Sequence, residues 1–314
     1  MYPSARRPAH GPFVRDQVEA LREFEAIDLE LHAFDPPGGI APYVRETLVL
    51  ARKFRRSRFD VVHAHYGLSG ACSLGVRRGR HVTTFHGDDL RLVKTAPIAR
   101  LVSRLIALPA TVSAGLARSE AATLGRPGRR RRIAVLPCGV SLERLRPLDR
   151  REARAQLGLD PDGRYLLFPA DPARPEKRYD RALELADAAD GVTLIHYDET
   201  PPERVPLYVN AANAVVVPSE REGFGLAPLE ALACNVPVVA TDVGIAPLVL
   251  AGIEGTLCAG YERERWSRAL ARHLENDDPR VNGRERAALF DSGRMAERVL
   301  HAYRDLLGPS APGT

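Results

Sequence analysis

Apolar residues along this chain gather into short continuous runs, separated by stretches in which they recur with a helical repeat. Residues 13–26 place Phe13, Val14, Val18, Leu21 and Phe24 near 3.6-residue spacing, which predicts a helix. Runs at 29–34, 60–65, 81–85, 110–113 and 133–137 read as strands, and helical segments at 43–57, 97–107 and 116–124 separate several of them. Between 141 and 149, Pro147 and a charged stretch interrupt the pattern before a helix over 150–157. A second series follows, with strands at 165–170, 192–197, 214–218, 236–241 and 255–258. Its helices are expected at 177–189, 205–212, 228–234, 262–275 and 294–307. Strands alternating with helices predict parallel sheets covered on both faces. The fold class is α/β: two similar halves divided near residue 146, with strand ends facing across a cleft.

One irregularity stands at the start. A doubly wound domain normally opens on a strand, whereas this chain opens on Tyr2-Pro3-Ser4 and a helix. The first strand is expected to be missing: either the start lies about ten residues too late, or the domain is unusually built.

Composition adds bounds. At 314 residues with 45% hydrophobic content, the chain can fill two cores. No apolar run is long enough to span a bilayer, and the N-terminus leads into no signal-peptide core. Cys72, Cys138, Cys234 and Cys258 lack metal or redox spacing, so a cytoplasmic location with reduced thiols is the expectation. The net charge is +5, and the basic cluster of Arg126 and Arg129–Arg132 is either a solvated loop or a contact for an anionic membrane. Peripheral attachment at the inner face of a membrane is the corresponding expectation. Nucleic acid is disfavoured, because the cluster has neither interleaved aromatics nor a recognisable module.

Candidate chemistry sits at strand ends. In Asp60–Gly67 an apolar strand closes on His63 and His65, followed by Tyr66, and Thr83–Asp89 ends a second strand with His86, Gly87, Asp88 and Asp89. Gly87 permits a tight turn, and His86 can exchange a proton near neutrality. A metal site from His63, His65, His86 and Asp88 has no local ligand motif behind it. The loop 169–178 supplies Arg174, a planar fork, and Lys177, a compact point charge, which together suit a diphosphate or simply cap the next helix. Most informative is Pro218–Glu230, where Glu222 and Glu230 flank Gly223, Phe224, Gly225 and Leu226 at a strand-to-helix turn. The glycines can bring backbone N–H groups to a phosphate or sugar, and the carboxylates can accept hydroxyl hydrogen bonds. A plain helix-start role explains each glutamate singly but not the glycines between them.

These segments resemble the retaining glycosyltransferases of family 4, over nearly the whole chain. The resemblance rests on Gly-Pro-Phe-Val-Arg at 11–15, the histidine strand at 60–67, Phe-His-Gly at 85–87, Leu-Pro-Cys-Gly-Val at 136–140, and Pro-Glu-Lys at 175–177. Glu-Gly-Phe-Gly-Leu…Glu at 222–230, followed by Ala-Leu-Ala-Cys-Asn-Val-Pro-Val-Val-Ala-Thr at 231–241, completes it. It implies a GT-B fold of two Rossmann-like domains. Residues 1–146 with 294–314 would form the acceptor side, and 147–293 would bind the nucleotide-sugar donor.

By the same resemblance, His86 lies near the transferred sugar, Glu222 reaches its hydroxyls, Lys177 meets the diphosphate and Glu230 binds the donor ribose. Gly223, Phe224, Gly225 and Leu226 line the donor, while Gly11, His65, Tyr66, Gly87 and Asp88 lie on the acceptor side. The implied reaction moves a sugar from a nucleoside diphosphate sugar, its only co-substrate, to an acceptor hydroxyl with retention. Front-face attack replaces an enzyme nucleophile, and neither a cofactor nor a metal is called for, because no Asp-x-Asp motif lies near the donor region. A bacterial polysaccharide, glycolipid or natural-product pathway is the broad setting. A nucleotide-sugar epimerase or hydrolase of the same fold is the alternative enzyme, and a non-enzymatic anion-binding protein is the alternative outside enzymology.

The chain departs from the family at several points. Asp171 stands where an arginine is usual, and Arg178 where a glycine is. Ser141 ends the Cys138-Gly139-Val140-Ser141 hinge where aspartate is common. Gly244-Ile245-Ala246-Pro247-Leu248 replaces Gly-Gly-x-Pro-Glu, adding a branched side chain and losing an acceptor.

Overall fold

The computed structural model describes residues 2–3, 11–24, 27–34, 39, 41–125, 132–197 and 200–308. Contacts divide the chain into two compact units. One comprises Met1–Tyr2, Gln17–Cys138 and Gly293–Thr314, the other Pro3–Asp16 and Gly139–Ser292.

The first unit holds a parallel sheet of β1 (Val61–His65), β2 (Arg80–Phe85), β3 (Leu108–Thr111) and β4 (Ala134–Val135), in that spatial order. Val82, Phe85 and Ala110 are fully buried, as expected for strands covered on both faces. One cover packs Ala20 and Leu21 of helix Pro12–Arg22 and Ala296, Val299 and Leu300 of helix Ser292–Leu307 against Val82, Leu108 and Ala110. Each valine or leucine among them taken fully from water contributes about 1.5–3 kcal/mol.

The strand expected at 29–34 does not form. Among the described residues β1 pairs only with β2, and 29–34 pairs with no strand. Its apolar side chains are held by packing instead. Leu29 rests on the core just described, and Phe34 meets Tyr43 edge-on with ring centroids 5.7 Å apart. His32 Nε2 lies 2.6 Å from Glu46 Oε1. Alternation reported a half-buried segment correctly, but half-burial does not require a hydrogen-bonded neighbour.

The second unit is built on β5 (Arg164–Phe168), β6 (Val192–His196), β7 (Ala214–Val217), β8 (Val238–Ala240) and β9 (Leu257–Cys258). All pairings are parallel, in the order β6-β5-β7-β8-β9. The chain leaves β5 toward one side for β6 and returns on the other for β7. A switch of this kind opens a crevice at the carboxyl ends of the strands. Loop 169–178, Tyr197 and segment 218–226 all leave from that end. The core beneath them gathers Leu166, Phe168, Val216, Val239, Trp266 and Leu270, none more than 1% exposed.

Residues 139–149 belong to this unit through their hydrogen bonds. Val140 N donates to Phe290 O at 2.9 Å, and Arg284 donates to the carbonyls of Leu142 and Leu145 at 2.7 and 2.6 Å. Asp149 Oδ1 then caps helix Arg150–Leu157 by accepting from Glu152 N at 2.8 Å. All four cysteines are free thiols. Among the described residues no helix is long and apolar enough to cross a membrane.

Candidate active site

In the second unit, the loop after β5 tightens into a short helical turn at Pro175–Lys177, which aims Lys177 at the segment following β7. Its Nζ donates to both oxygens of Glu222, at 2.6 and 2.7 Å, and Ser219 Oγ donates to Glu222 Oε1 at 2.8 Å. The two segments are also tied through their backbones, Glu220 N donating to Glu176 O at 2.9 Å. Lys177 and Glu222 retain only 15% and 10% side-chain exposure, so the pair is shielded enough for its geometry to hold.

Glu230 follows one turn into helix Ala227–Ala233, whose second residue is Pro228. Tyr197, just past β6, donates its hydroxyl to Glu230 Oε2 at 3.3 Å. Burial pushes the Glu230 carboxyl up to about 7, against the opposing pull of Arg144, the Tyr197 hydrogen bond and Lys177. Burial likewise raises the Tyr197 hydroxyl, and the Glu230 charge adds to it. Arg144 is held by Asp16, its two terminal nitrogens lying 2.7 and 3.3 Å from the two carboxylate oxygens. Asp16 lies on the helix that follows Gly11, a residue with φ +74° whose carbonyl accepts from Val14 N at 3.0 Å.

The turn between the glutamates depends on backbone closeness. Gly225 takes φ +82° and Gly244 takes φ +61°. A Cβ on Gly244 would lie 2.4 Å from Phe224 O and 2.8 Å from Glu222 Cβ, so no side chain fits there. Ile245, the departure from the second family glycine, donates its N–H to Phe224 O at 2.7 Å and is 6% exposed. The added branch thus enters the core, and the glycine that the geometry demands is kept. Phe224 itself turns its ring inward toward Phe290. Leu248, in the place of the family glutamate, is 60% exposed.

Other departures also have local reasons. Asp171 Oδ1 accepts from Ala173 N at 2.8 Å and shapes the loop rather than supplying a cation. The Arg174 guanidinium is exposed and donates to Glu176 Oε1 at 2.9 and 2.6 Å, so it is not gathered with Lys177 and Glu222. Arg178 takes the left-handed conformation, φ +60°, that explains why glycine is usual there. Its side chain turns to Asp180 and Glu220. Ser141 Oγ accepts from Arg144 N at 3.3 Å, a turn-capping role that an aspartate would also perform.

The first unit assembles a second cluster where β1 and β2 end. His63 and His65 stack with centroids 4.8 Å apart. His63 Nδ1 lies 2.6 Å from the Tyr303 hydroxyl and its Nε2 lies 2.8 Å from Thr84 Oγ1. His65 Nδ1 is 3.1 Å from His86 Nε2, and His65 Nε2 is 3.3 Å from Gln17 Nε2. Burial lowers His63 to about 4 and His86 to about 3, and holds His65 well below its ordinary value, with charge repulsion among the rings adding to the effect for His65 and His86. Neutral rings at physiological pH follow. Tyr66 stacks on His86 at 4.4 Å and adopts φ 71°, a strained value for a bulky residue. Among the described residues, no group of three or more His, Cys, Asp or Glu is placed to hold a metal ion.

Asp89 organises this end of the sheet. Its Oδ1 accepts from His86 N at 3.1 Å and Gly87 N at 3.0 Å, and its Oδ2 accepts from Gly67 N at 3.0 Å. One buried carboxylate thereby joins both strand-end turns, and burial raises it to about 6 despite those donors. Asp88, its neighbour, is exposed and opens helix Asp88–Arg91. Most of the basic cluster, residues 126–131, lies outside the described residues, and Arg132 pairs with Asp305 at 2.8 Å.

Sequence reasoning named Asp89 without giving it a role, and missed Ser219, Tyr197, Arg144, Gln17 and Tyr303. Ser219 and Asp89 were within reach, each lying three residues from a chosen site residue. Tyr197 and Tyr303 come from distant segments and carry no local signal.

Residues 9–144 match the family described as Glycosyltransferase Family 4, and residues 174–290 match Glycosyl transferases group 1. The D-inositol 3-phosphate glycosyltransferase of Frankia alni is 31% identical, over 90% of this chain and 83% of that protein. The enzyme of the same name from Nocardia farcinica is also 31% identical, over 96% and 77%. This chain belongs to the family 4 glycosyltransferases. It is accordingly a retaining sugar-transferring enzyme. The fold agrees: HepE of Anabaena in complex with UDP-glucose superposes with a TM-score of 0.70 at 17% identity, covering 96% of this chain and 97% of that one. Sucrose-phosphate synthase of Thermosynechococcus elongatus gives 0.68 at 21% identity, covering 94% and 92%. Both are GT-B proteins in architecture, as is this glycosyltransferase, with its two parallel-sheet α/β domains.

Proposed function

We propose that the second unit of this glycosyltransferase binds a nucleoside diphosphate sugar, with uridine as the base, and that the first unit presents an acceptor hydroxyl. The observation that carries this reading is the Lys177–Glu222 pair at the sheet's switch point, with Glu230 one turn into the helix that follows. Lys177 would meet the diphosphate as the leaving group gathers charge, Glu222 the sugar hydroxyls, and Glu230 the ribose. Gly223, Gly225 and Leu226 would offer backbone groups to the donor, with Phe224 fixing the turn from below. HepE, which was crystallised with UDP-glucose, supports the choice of base.

Catalysis on this reading consists of positioning and charge stabilisation, without an enzyme nucleophile. The acceptor proton passes to the departing diphosphate on the same face. His86 is held neutral and close to Tyr66, which suits a hydrogen-bonding and shaping role beside the sugar. Gly11, His65, Tyr66, Gly87 and Asp88 complete the acceptor side. The relatives are named for D-inositol 3-phosphate, which makes a phosphorylated polyol the first acceptor to try.

Calorimetry with uridine, guanosine and adenosine diphosphate sugars tests the donor. Uridine-selective binding that is lost in Glu230→Ala is expected, and unchanged binding in that variant sinks the ribose assignment. Lys177→Ala should lower turnover by about 10²–10³, and an unchanged rate moves the phosphate role elsewhere.

A further inference from the structure

Gln17, on helix Pro12–Arg22, is buried at 7% exposure, and its side-chain amide faces the histidine cluster. Gln17 Nε2 lies 3.3 Å from His65 Nε2, and across the same ring His65 Nδ1 lies 3.1 Å from His86 Nε2. All three side chains belong to the first unit. Burial keeps both rings neutral, so each holds one N–H and one bare nitrogen. A doubly protonated His65 would also set an N–H against the N–H of the amide.

The amide nitrogen can only donate. His65 Nε2 must therefore accept, which puts the His65 proton on Nδ1. From there it is donated to His86 Nε2, which must be bare, and the His86 proton is left on Nδ1. Neighbouring groups do not compete for this order. His63 meets the hydroxyls of Tyr303 and Thr84 at 2.6 and 2.8 Å, and a hydroxyl turns to either role. Asp89 holds the backbone N–H of His86 rather than its ring.

We infer that Gln17, acting through His65, fixes the His86 proton on Nδ1, so that His86 meets the substrate as a hydrogen-bond donor and not as a base. A base needs a lone pair to take a proton. The only one on the His86 ring, at Nε2, is engaged by the His65 N–H. Gln17 is thus a positioning residue, acting on His86 without touching it. That His86 stands beside the substrate rests on the function proposed above, whereas the order of protons rests on the three side chains alone.

The test is two-bond ¹H–¹⁵N correlation of the full chain carrying ¹⁵N-labelled histidine, because protonated and bare ring nitrogens resonate far apart. His86→Gln assigns the signals by removing one ring. In the original chain the Nδ1–H form of His86 is expected to exceed the other at least about tenfold. Gln17→Met and His65→Phe each remove one link, and in both the His86 ring should become a mixture of the two forms. Melting temperatures close to that of the original chain exclude unfolding as the cause. A His86 proton on Nε2 in the original chain, or a ring unmoved in both variants, would overturn the inference. Addition of UDP-glucose reads the role in the site, with a displaced Nδ1–H resonance expected. Bound UDP-glucose that leaves this resonance in place removes the donor role and the placement of His86 beside the substrate, while the proton order stands.

Discussion

Replacing Glu230 with glutamine should separate the stability of the second unit from its pH. In the unfolded chain a glutamate ionises near 4.5, whereas burial holds this carboxyl protonated to about 7. Between those values the native state binds more protons than the unfolded one, so stability is fully present below about pH 4.5 and declines as pH rises through 7. Each pH unit of that interval is worth about 1.4 kcal/mol, giving about 3 kcal/mol for complete burial. Glu230 is partly exposed, and solvent screening reduces the expected contribution to about 2 kcal/mol. Glutamine keeps an oxygen to accept from Tyr197 but never acquires the charge. Its stability relative to the original chain should therefore be near zero at about pH 5 and about +2 kcal/mol at about pH 8, read from urea midpoints of the two proteins across that range. His63 and His86, lowered to about 4 and about 3, impose the opposite trend, in which stability is lost as pH falls below 6.5. That trend is common to both proteins and cancels in the difference. A difference that stays flat from pH 5 to 8 would refute the claim that burial governs this carboxyl.

Two further substitutions probe the frameworks of the two clusters. Gly244→Ala forces a methyl to within 2.4 Å of Phe224 O at a left-handed backbone position, so a loss of about 2–4 kcal/mol is expected in thermal unfolding, with nucleotide binding weakened as Glu222 is displaced; a variant that melts with the original chain contradicts the fit. Asp89→Asn retains one acceptor but turns an NH₂ group toward donors, leaving at least one backbone N–H unsatisfied at a cost of about 1–3 kcal/mol, with turnover falling because one of the two strand-end turns that Asp89 joins loses its anchor. Unaltered turnover in a folded Asp89→Asn protein would remove Asp89 from the positioning role.

Much of this molecule was readable in one dimension. Nine of the ten expected strands formed, because continuous apolar runs bounded by turn residues report burial inside a parallel sheet. The tenth, 29–34, pairs with no strand among the described residues, and pairing is a property of topology rather than of a local run. Glu222 and Glu230 stood out because the turn between them needs glycine at fixed offsets, which leaves a spaced signature; Lys177 stood out as a rare lysine in its own loop, and the fold brings it to Glu222. Arg174 was read with Lys177 as an anion-binding pair; in the structure its guanidinium donates to Glu176, two residues away. Tyr197, Tyr303 and Arg144 reach their clusters only through the crossing of separate elements, which no spacing encodes.

The Lys177–Glu222 contact gives each residue a partner of opposite charge. Its two charges cancel, and each already has the best partner within reach. Inorganic phosphate would have to pull Lys177 from Glu222 while offering the glutamate nothing in return, and a free sugar faces the converse loss. Only a molecule carrying both an anion and hydroxyls can release the two residues together and compensate both. On the assignments proposed above, the pair would act as a coincidence detector, rejecting the fragments of a donor while admitting the intact one.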